Sequence, residues 1–298
     1  MDSYNKKAVF HLPGLFQHFA VYQILFDMLE KNPEWKRDNV EFGSLYGSPT
    51  CIWNGGRVIA NCFLNLKDLR LVRDFCISYK IPARFTFTNC MLEEKHLFDT
   101  FGNQILEIFN TGRNEIICNS EILENYIREN YGDRYKYISS TTKRLNSTAE
   151  QNKELEKDYY LVVLDYDHNN NFKYLKTIKN KDKCEILCNP WCIPKCPRRK
   201  EHYENISKAQ IAIDPDNYMV CPYKRENLGF YGIKDSSCFV TPELINDYLE
   251  LGFNNFKLEG RTIDRYNLVE VLVYYLIKDT YQNECRVALL YFLNTMGS

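Results

Sequence analysis

Three short runs carry the argument for the fold: Ala83-Arg-Phe-Thr-Phe-Thr-Asn-Cys90, Glu115-Ile-Ile-Cys-Asn-Ser120 and Tyr135-Lys-Tyr-Ile-Ser-Ser140. Each is a brief β-branched or aromatic segment that ends in small polar or thiol side chains, as a buried parallel strand does. Between them the period changes. Glu94 to Asn110 has helical spacing, and Ser120 is placed to N-cap a helix running through Arg128, with Glu121 in its first turn. Strand, helix, strand is the βα unit, and it repeats outward in both directions.

Upstream, Val40 to Tyr46 reads as a strand, and Leu66, Leu69, Val72 and Cys76 share one face of a helix over Leu66 to Tyr79. Downstream, Tyr159 to Asp165 is an apolar strand, Phe172 to Ile178 a helix, Glu185 to Cys188 a strand and Tyr218 to Val220 another. Lys143 to Lys157 is polar and weakly periodic, a loosely packed helix at most. Thr241 and Pro242 open a helix that Gly252 ends, Asn255 to Leu258 is the last strand, and Asn267 to Ile277 and Gln282 to Phe292 are closing helices. The count is eight strands, most followed by helices, which predicts a (β/α)8 TIM-like barrel in a single domain. Residues 40–275 form the expected core, with residues 1–39 as an N-terminal strand and helix extension and 276–298 as a C-terminal helix. An open nucleotide-binding sheet is disfavoured, because neither a glycine-rich dinucleotide fingerprint nor a phosphate loop is present.

The 298 residues are 45% hydrophobic, enough for a sizeable core. Lysine plus arginine (38) nearly balances aspartate plus glutamate (39), so the net charge of −1 gives no general pull on nucleic acid. The N-terminus lacks the apolar region of a signal peptide and no run is long enough to span a bilayer, which predicts a cytoplasmic protein without membrane contact. In that compartment twelve cysteines point to free thiols or metal ligands rather than a disulfide framework.

The thiols concentrate between Cys184 and His202. Cys184, Cys188, Cys192 and Cys196 recur every four residues, but Pro190, Pro194 and Pro197 forbid a helix after Asn189, so the segment is a strand followed by a tight loop. A proline-rich turn beside Lys195, Arg198, Arg199 and Lys200 is a poor place to hide a thiol, and a positive neighbourhood favours thiolate. Cys192 and Cys196 are therefore expected to bind a metal or cluster, with a disulfide between them as the structural alternative. Cys221 also ends an apolar run before a proline and is the expected third ligand. Cys62, Cys76, Cys118, Cys238 and Cys285 read as core packing. The basic run around the loop reads as a solvated face, as does the lone His202. At Gly55, Gly56 and Arg57 the backbone can approach an anion, although Asn54-Gly55 is first a turn signal. In a barrel the chemistry belongs at the C-terminal strand ends, where Thr88, Asn89, Cys90, Asn119, Ser139, Asp165, Cys188 and Glu259 also fall.

Phe256-Lys-Leu-Glu-Gly-Arg261, preceded by the Pro242 helix, resembles the signature of the collagenase-like peptidase superfamily, and the Cys192 and Cys196 pair looks like part of the cysteine set with which its members hold an iron–sulfur cluster. The resemblance covers about Val40 to Tyr275 and rests on these two motifs. It implies a TIM-like barrel, a cluster of the 4Fe-4S type with Cys192, Cys196 and Cys221 as ligands, and oxygen-independent hydroxylation of an RNA base or quinone precursor, or peptidase activity. The family's full cysteine quartet is not matched: the fourth ligand is Cys188, Cys184, Cys90 or none. Glu259 is expected as acid/base and Arg261 as the anchor for a carboxylate or phosphate, the alternative being a rim ion pair. Zinc held by the same thiols is the rival reading, one that makes the protein a binding or scaffold module with room for a partner protein. The substrate, a small molecule, a peptide or RNA, is left open.

Overall fold

The computed structural model describes residues 6–56, 62–214, 221–223, 229–261 and 263–295. Eight parallel strands close into a barrel in chain order: β1 (Ala8–Pro13), β2 (Val40–Gly47), β3 (Ala83–Phe87), β4 (Glu115–Cys118), β5 (Lys136–Ser139), β6 (Leu161–Val163), β7 (Cys184–Leu187) and β8 (Asn255–Lys257). Helices α1 (Phe19–Lys31), α2 (Leu66–Ser78), α3 (Thr100–Ile108), α4 (Glu121–Tyr131), α5 (Thr148–Leu155) and the single turn α6 (Phe172–Leu175) make the first six crossovers. The seventh connection carries α7 (Arg199–Ala212), α8 (Gly229–Gly232) and α9 (Ile245–Leu251); α10 (Arg265–Leu276) and α11 (Gln282–Thr295) follow β8. The expected (β/α)8 class is the observed one.

One strand was assigned differently. Ala8–Pro13 is no extension: it pairs with β2 on one side and with β8 on the other, Val9 opposite Asn255 and His11 opposite Lys257, and so closes the barrel. The barrel thus starts inside the segment that sequence reading set apart as residues 1–39. The strand expected at Tyr218 to Val220 lies outside the described residues, as does Arg57.

Helix starts follow local chemistry. The Ser120 hydroxyl accepts from Leu123 N–H, and the Asp264 carboxylate from Tyr266 and Asn267 N–H, so the first turns have partners for otherwise orphaned donors. The expected helix over Glu94 to Asn110 is broken at Asp99, whose side chain caps α3. Gly252, at φ +100°, ends α9 in the left-handed conformation expected of it.

The period of two then decides which side chains see which surface. On β3, Ala83, Phe85 and Phe87 face the helices and join the main core, while Arg84 and Thr86 alternate with them on the barrel side. On β7, Cys184 and Ile186 pack in the main core, with Cys188 just beyond, and Glu185 and Leu187 face the other way. On β8, Phe256 and Leu258 face out, so that Lys257 faces the barrel interior.

Candidate active site at the barrel mouth

The interior is polar on one side. Arg84 is buried between two carboxylates, donating from Nε to Glu115 at 2.6 Å and from Nη1 to Glu185. Burial pushes Glu185 upward, but Arg84 and Lys257 outweigh it and hold the carboxyl at about 2. His11 sits against the same group, its Nδ1 2.9 Å from Ser44 Oγ and its Nε2 3.3 Å from Asn255 Oδ1. Burial, reinforced by Arg84, lowers His11 to about 3, so it is neutral at ordinary pH. Lys257 tops the network: Nζ is 3.4 Å from Glu185 Oε1 and 4.1 Å from the centre of the Tyr46 ring, and burial lowers its pKa to about 8 against the opposing pull of Glu185. Ile117, Ile138, Leu161 and Val163, on β4 to β6, form a separate apolar cluster.

Above this floor a cavity opens to solvent at the C-terminal ends of the strands. Lys257, Glu259 and Arg261 line it from β8 and its extension, Tyr46 from β2, Thr86 and Thr88 from β3, and Ser140, Thr141 and Thr142 from the turn after β5. Arg261 donates from Nη1 to Thr86 Oγ1 (2.7 Å) and Asn54 Oδ1 (3.1 Å), and from Nη2 to the Gly55 carbonyl (3.2 Å). A Cβ on Gly56, which adopts φ +97°, would lie 2.9 Å from Arg261 Nη2 and 3.5 Å from Thr88 Oγ1. Both atoms thus face the space that the missing side chain leaves. The Thr88 hydroxyl is buried and has no hydrogen-bond partner among the described residues. Glu259 is fixed by its neighbours: its N–H donates to Asn189 Oδ1 (2.7 Å), and its Oε2 accepts from Trp191 N–H (3.1 Å).

The loop after β7 and helix α7 cover part of the mouth. Cys192 and Cys196 come together with Tyr166 and Leu187, two residues that also line the cavity. Burial, and then the neighbouring Cys192, raise the Cys196 thiol pKa. Arg199 pins the loop: it donates from both Nη atoms to Asp167 (2.8 and 2.9 Å) and to the Ile193 carbonyl (3.0 Å), while lying 4.2 Å over the Tyr166 ring. Asp167 in turn accepts from Lys195 N–H at 2.7 Å. At its other end α7 is tied to the β2 and β3 loops, with Ser207 O and Oγ accepting from Asn89 Nδ2 (3.0 Å) and Cys90 N–H (3.1 Å), and Gln210 Oε1 accepting from Asn54 Nδ2 (3.1 Å).

Of the residues named from the sequence, Glu259, Arg261, Gly56 and Thr88 line this cavity and Gly55 holds Arg261; Lys257, Tyr46 and Thr86, which the sequence reading did not single out, line it with them. The basic run is not one solvated face. Arg199 is buried and paired with aspartates, whereas Arg198 pairs with Glu201 at the surface. Cys192 and Cys196 are neighbours with free thiols. Cys221, the expected third ligand, is half-buried and within electrostatic reach of Arg198. Among the described residues no three His, Cys, Asp or Glu side chains come together as a metal-binding group. Cys184 and Cys188 point to the helix side and bond to backbone carbonyls of Asn180 and Ile186, and Cys90 is engaged by Ser207. Other strand-end polar groups serve structure: Ser139 donates to Glu154 and Asn119 to Thr142. No helix among the described residues is long and apolar enough to cross a membrane.

The chain is a closed (β/α)8 barrel with a polar, partly covered C-terminal mouth. In fold the chain is similar to the U32 peptidase Mk0906, with a TM-score of 0.50 and 11% identity over 86% of this chain and 93% of that one. In sequence it is 33% identical over 113 residues to a protein of Methanocaldococcus jannaschii described as uncharacterized protease MJ1657. That match takes in 36% of this chain and 33% of the relative, so the chain spans about a third of the length of the curated relative it matches. No family model matches the chain. The barrel that the Phe256 to Arg261 resemblance implies is the fold this chain shares with that U32 peptidase.

Proposed function

We propose that this chain is an enzyme that works at the barrel mouth on a small anionic substrate, and that Cys192 and Cys196 are two ligands of an iron–sulfur cluster of the 4Fe-4S type beside it, as the superfamily resemblance implies. The observation that carries the first part is the Arg261 cradle. A guanidinium oriented by Thr86, Asn54 and Gly55, an unpartnered Thr88 hydroxyl and the space left by Gly56 converge on one point of the cavity wall. Such a site suits a carboxylate or phosphate oxygen, with Arg261 supplying charge-assisted hydrogen bonds and Thr88 a neutral one. Glu259, steadied by Trp191 N–H, is the nearby carboxylate that can accept a proton or a hydrogen bond from the bound molecule.

For the cluster, the described residues meet part of the requirement. Two adjacent thiols supply half of the four thiolates that a 4Fe-4S cluster or a closed zinc site takes, so the donor set among the described residues does not fit the whole group. Cys221 remains the proposed third ligand. Iron, sulfide and zinc analysis of protein purified without oxygen, for the wild type and for Cys192→Ala with Cys196→Ala, is the test. Iron and sulfide in the wild type that vanish in the double variant support the cluster, zinc alone supports the scaffold reading, and metal-free protein removes the cluster while leaving the mouth untouched. Peptide hydrolysis is the second reading, favoured by what the two relatives are called; it predicts activity that survives loss of both cysteines.

A further inference from the structure

We propose that Lys257 is a nucleophilic amine of the mouth, one that condenses with the carbonyl carbon of a small aldehyde or ketone acid whose carboxylate occupies the Arg261 and Thr88 cradle. The inference rests on the anion-binding reading of the mouth and adds the reacting group.

Lys257 faces the barrel interior from β8, the strand whose extension delivers Arg261 to the same cavity. Its side chain is 10% exposed, and Nζ is held between the Tyr46 ring face and Glu185 Oε1. At 3.4 Å the contact with Glu185 is longer than the 2.6 Å contact of Arg84 with Glu115, and Arg84 already neutralises part of the Glu185 charge. Burial and the weak hold of a shared carboxylate are the two conditions under which a lysine carries a sizeable free-amine fraction near neutral pH. The step balances without a further reactant. A lysine ammonium and a carbonyl compound give an iminium and one water: Nζ forms the C–N bond, the carbonyl oxygen leaves as water with two of the nitrogen's protons, and the single positive charge stays opposite Glu185.

The test needs no known substrate. Wild-type protein is incubated at pH 7.5 with sodium cyanoborohydride and either glyoxylate, an aldehyde with a carboxylate, or propanal, an aldehyde without one, and the reduced adducts are mapped by peptide mass spectrometry. Lys257 is expected to be labelled on the order of a hundredfold faster than the lysine of a model peptide in the same incubation, the ratio of free-amine fractions for a pKa of about 8 against about 10.4, and faster than the exposed Lys67 and Lys208 of the same chain. Glyoxylate should outpace propanal at Lys257 at least tenfold, and Arg261→Ala should abolish that preference. Labelling of Lys257 no faster than that of Lys67 overturns the inference, even if glyoxylate still raises the thermal midpoint of the wild type and not of Arg261→Ala, a result that would uphold the cradle alone. Rapid labelling by both aldehydes alike overturns the cradle and leaves the amine.

Discussion

Replacing Arg199 by methionine keeps most of the side-chain volume and removes only the charge and its donors. In the wild type Arg199 is 2% exposed, and Asp165 and Asp167 are 1% and 7% exposed, so the substitution strands two buried carboxylates. Removing one member of such a pair typically costs about 3–5 kcal/mol. Arg144 remains 3.5 Å from both aspartates and offsets part of the loss, which puts the expected cost at the lower end, about 3 kcal/mol. For a chain of this size that corresponds to a fall of roughly 6 °C in the calorimetric midpoint. The loop carrying Cys192 and Cys196 loses its tie at Ile193, so the cost can also appear as local opening. A 3 kcal/mol smaller opening energy exposes the thiols on the order of a hundredfold more often, read as a faster reaction with a thiol reagent. Arg199→Lys should fall between, because an ammonium cannot grip Asp167 with two parallel bonds. A midpoint within 2 °C of wild type together with unchanged thiol labelling would refute the claim that this arginine seats the loop.

Below pH 6.5 the unfolded chain protonates His11 while the folded protein, in which that ring is held at about 3, does not; stability should therefore drop by about 1.4 kcal/mol per pH unit as pH falls, and His11→Asn should flatten that limb in urea titrations. Glu185, held at about 2 when folded, adds a second loss between about pH 4.5 and 2, since its stabilising ionised state disappears as pH falls through the folded value. Thr86→Val takes away the 2.7 Å support of Arg261 and the hydroxyl that donates to Asn54 Oδ1, and should weaken carboxylate binding at the mouth roughly tenfold by calorimetry while costing about 1–3 kcal/mol in unfolding measurements. Gly56→Ala, at φ +97° and with its new methyl 2.9 Å from Arg261 Nη2, should cost about 1–3 kcal/mol in unfolding measurements and abolish carboxylate binding.

How far the sequence could be read follows from the range of the interactions. Alternating periods and capping residues are local, so β3 through β5 and the caps at Ser120 and Gly252 lay open to inspection. On β7 the period of two carries more: with Glu185 on the barrel side, Cys184 and Cys188 turn to the helix side. Ala8–Pro13 hid because His11 and Pro13 interrupt its apolar character; only the pairing of His11 with Ser44 and Asn255, from β2 and β8, explains why a histidine is tolerated there. The charged floor was out of reach for the same reason. Arg84 finds Glu115 after 31 residues and Glu185 after 101, separations over which no sequence spacing speaks. Arg199 looked solvated because its run of neighbours is basic, whereas its partners come from the turn after β6.

The pairing of β1 with β8 has a consequence for how the protein is made. Its first strand must wait for the last, so through most of synthesis the nascent chain holds a growing parallel sheet with two unsatisfied edges. Closure joins strands far apart in the chain, Val9 opposite Asn255, and contacts of such long sequence separation slow folding and prolong the exposure of unpaired edges. A truncation that removes Ala8–Pro13 would not trim the molecule; it would leave it permanently in that unfinished condition.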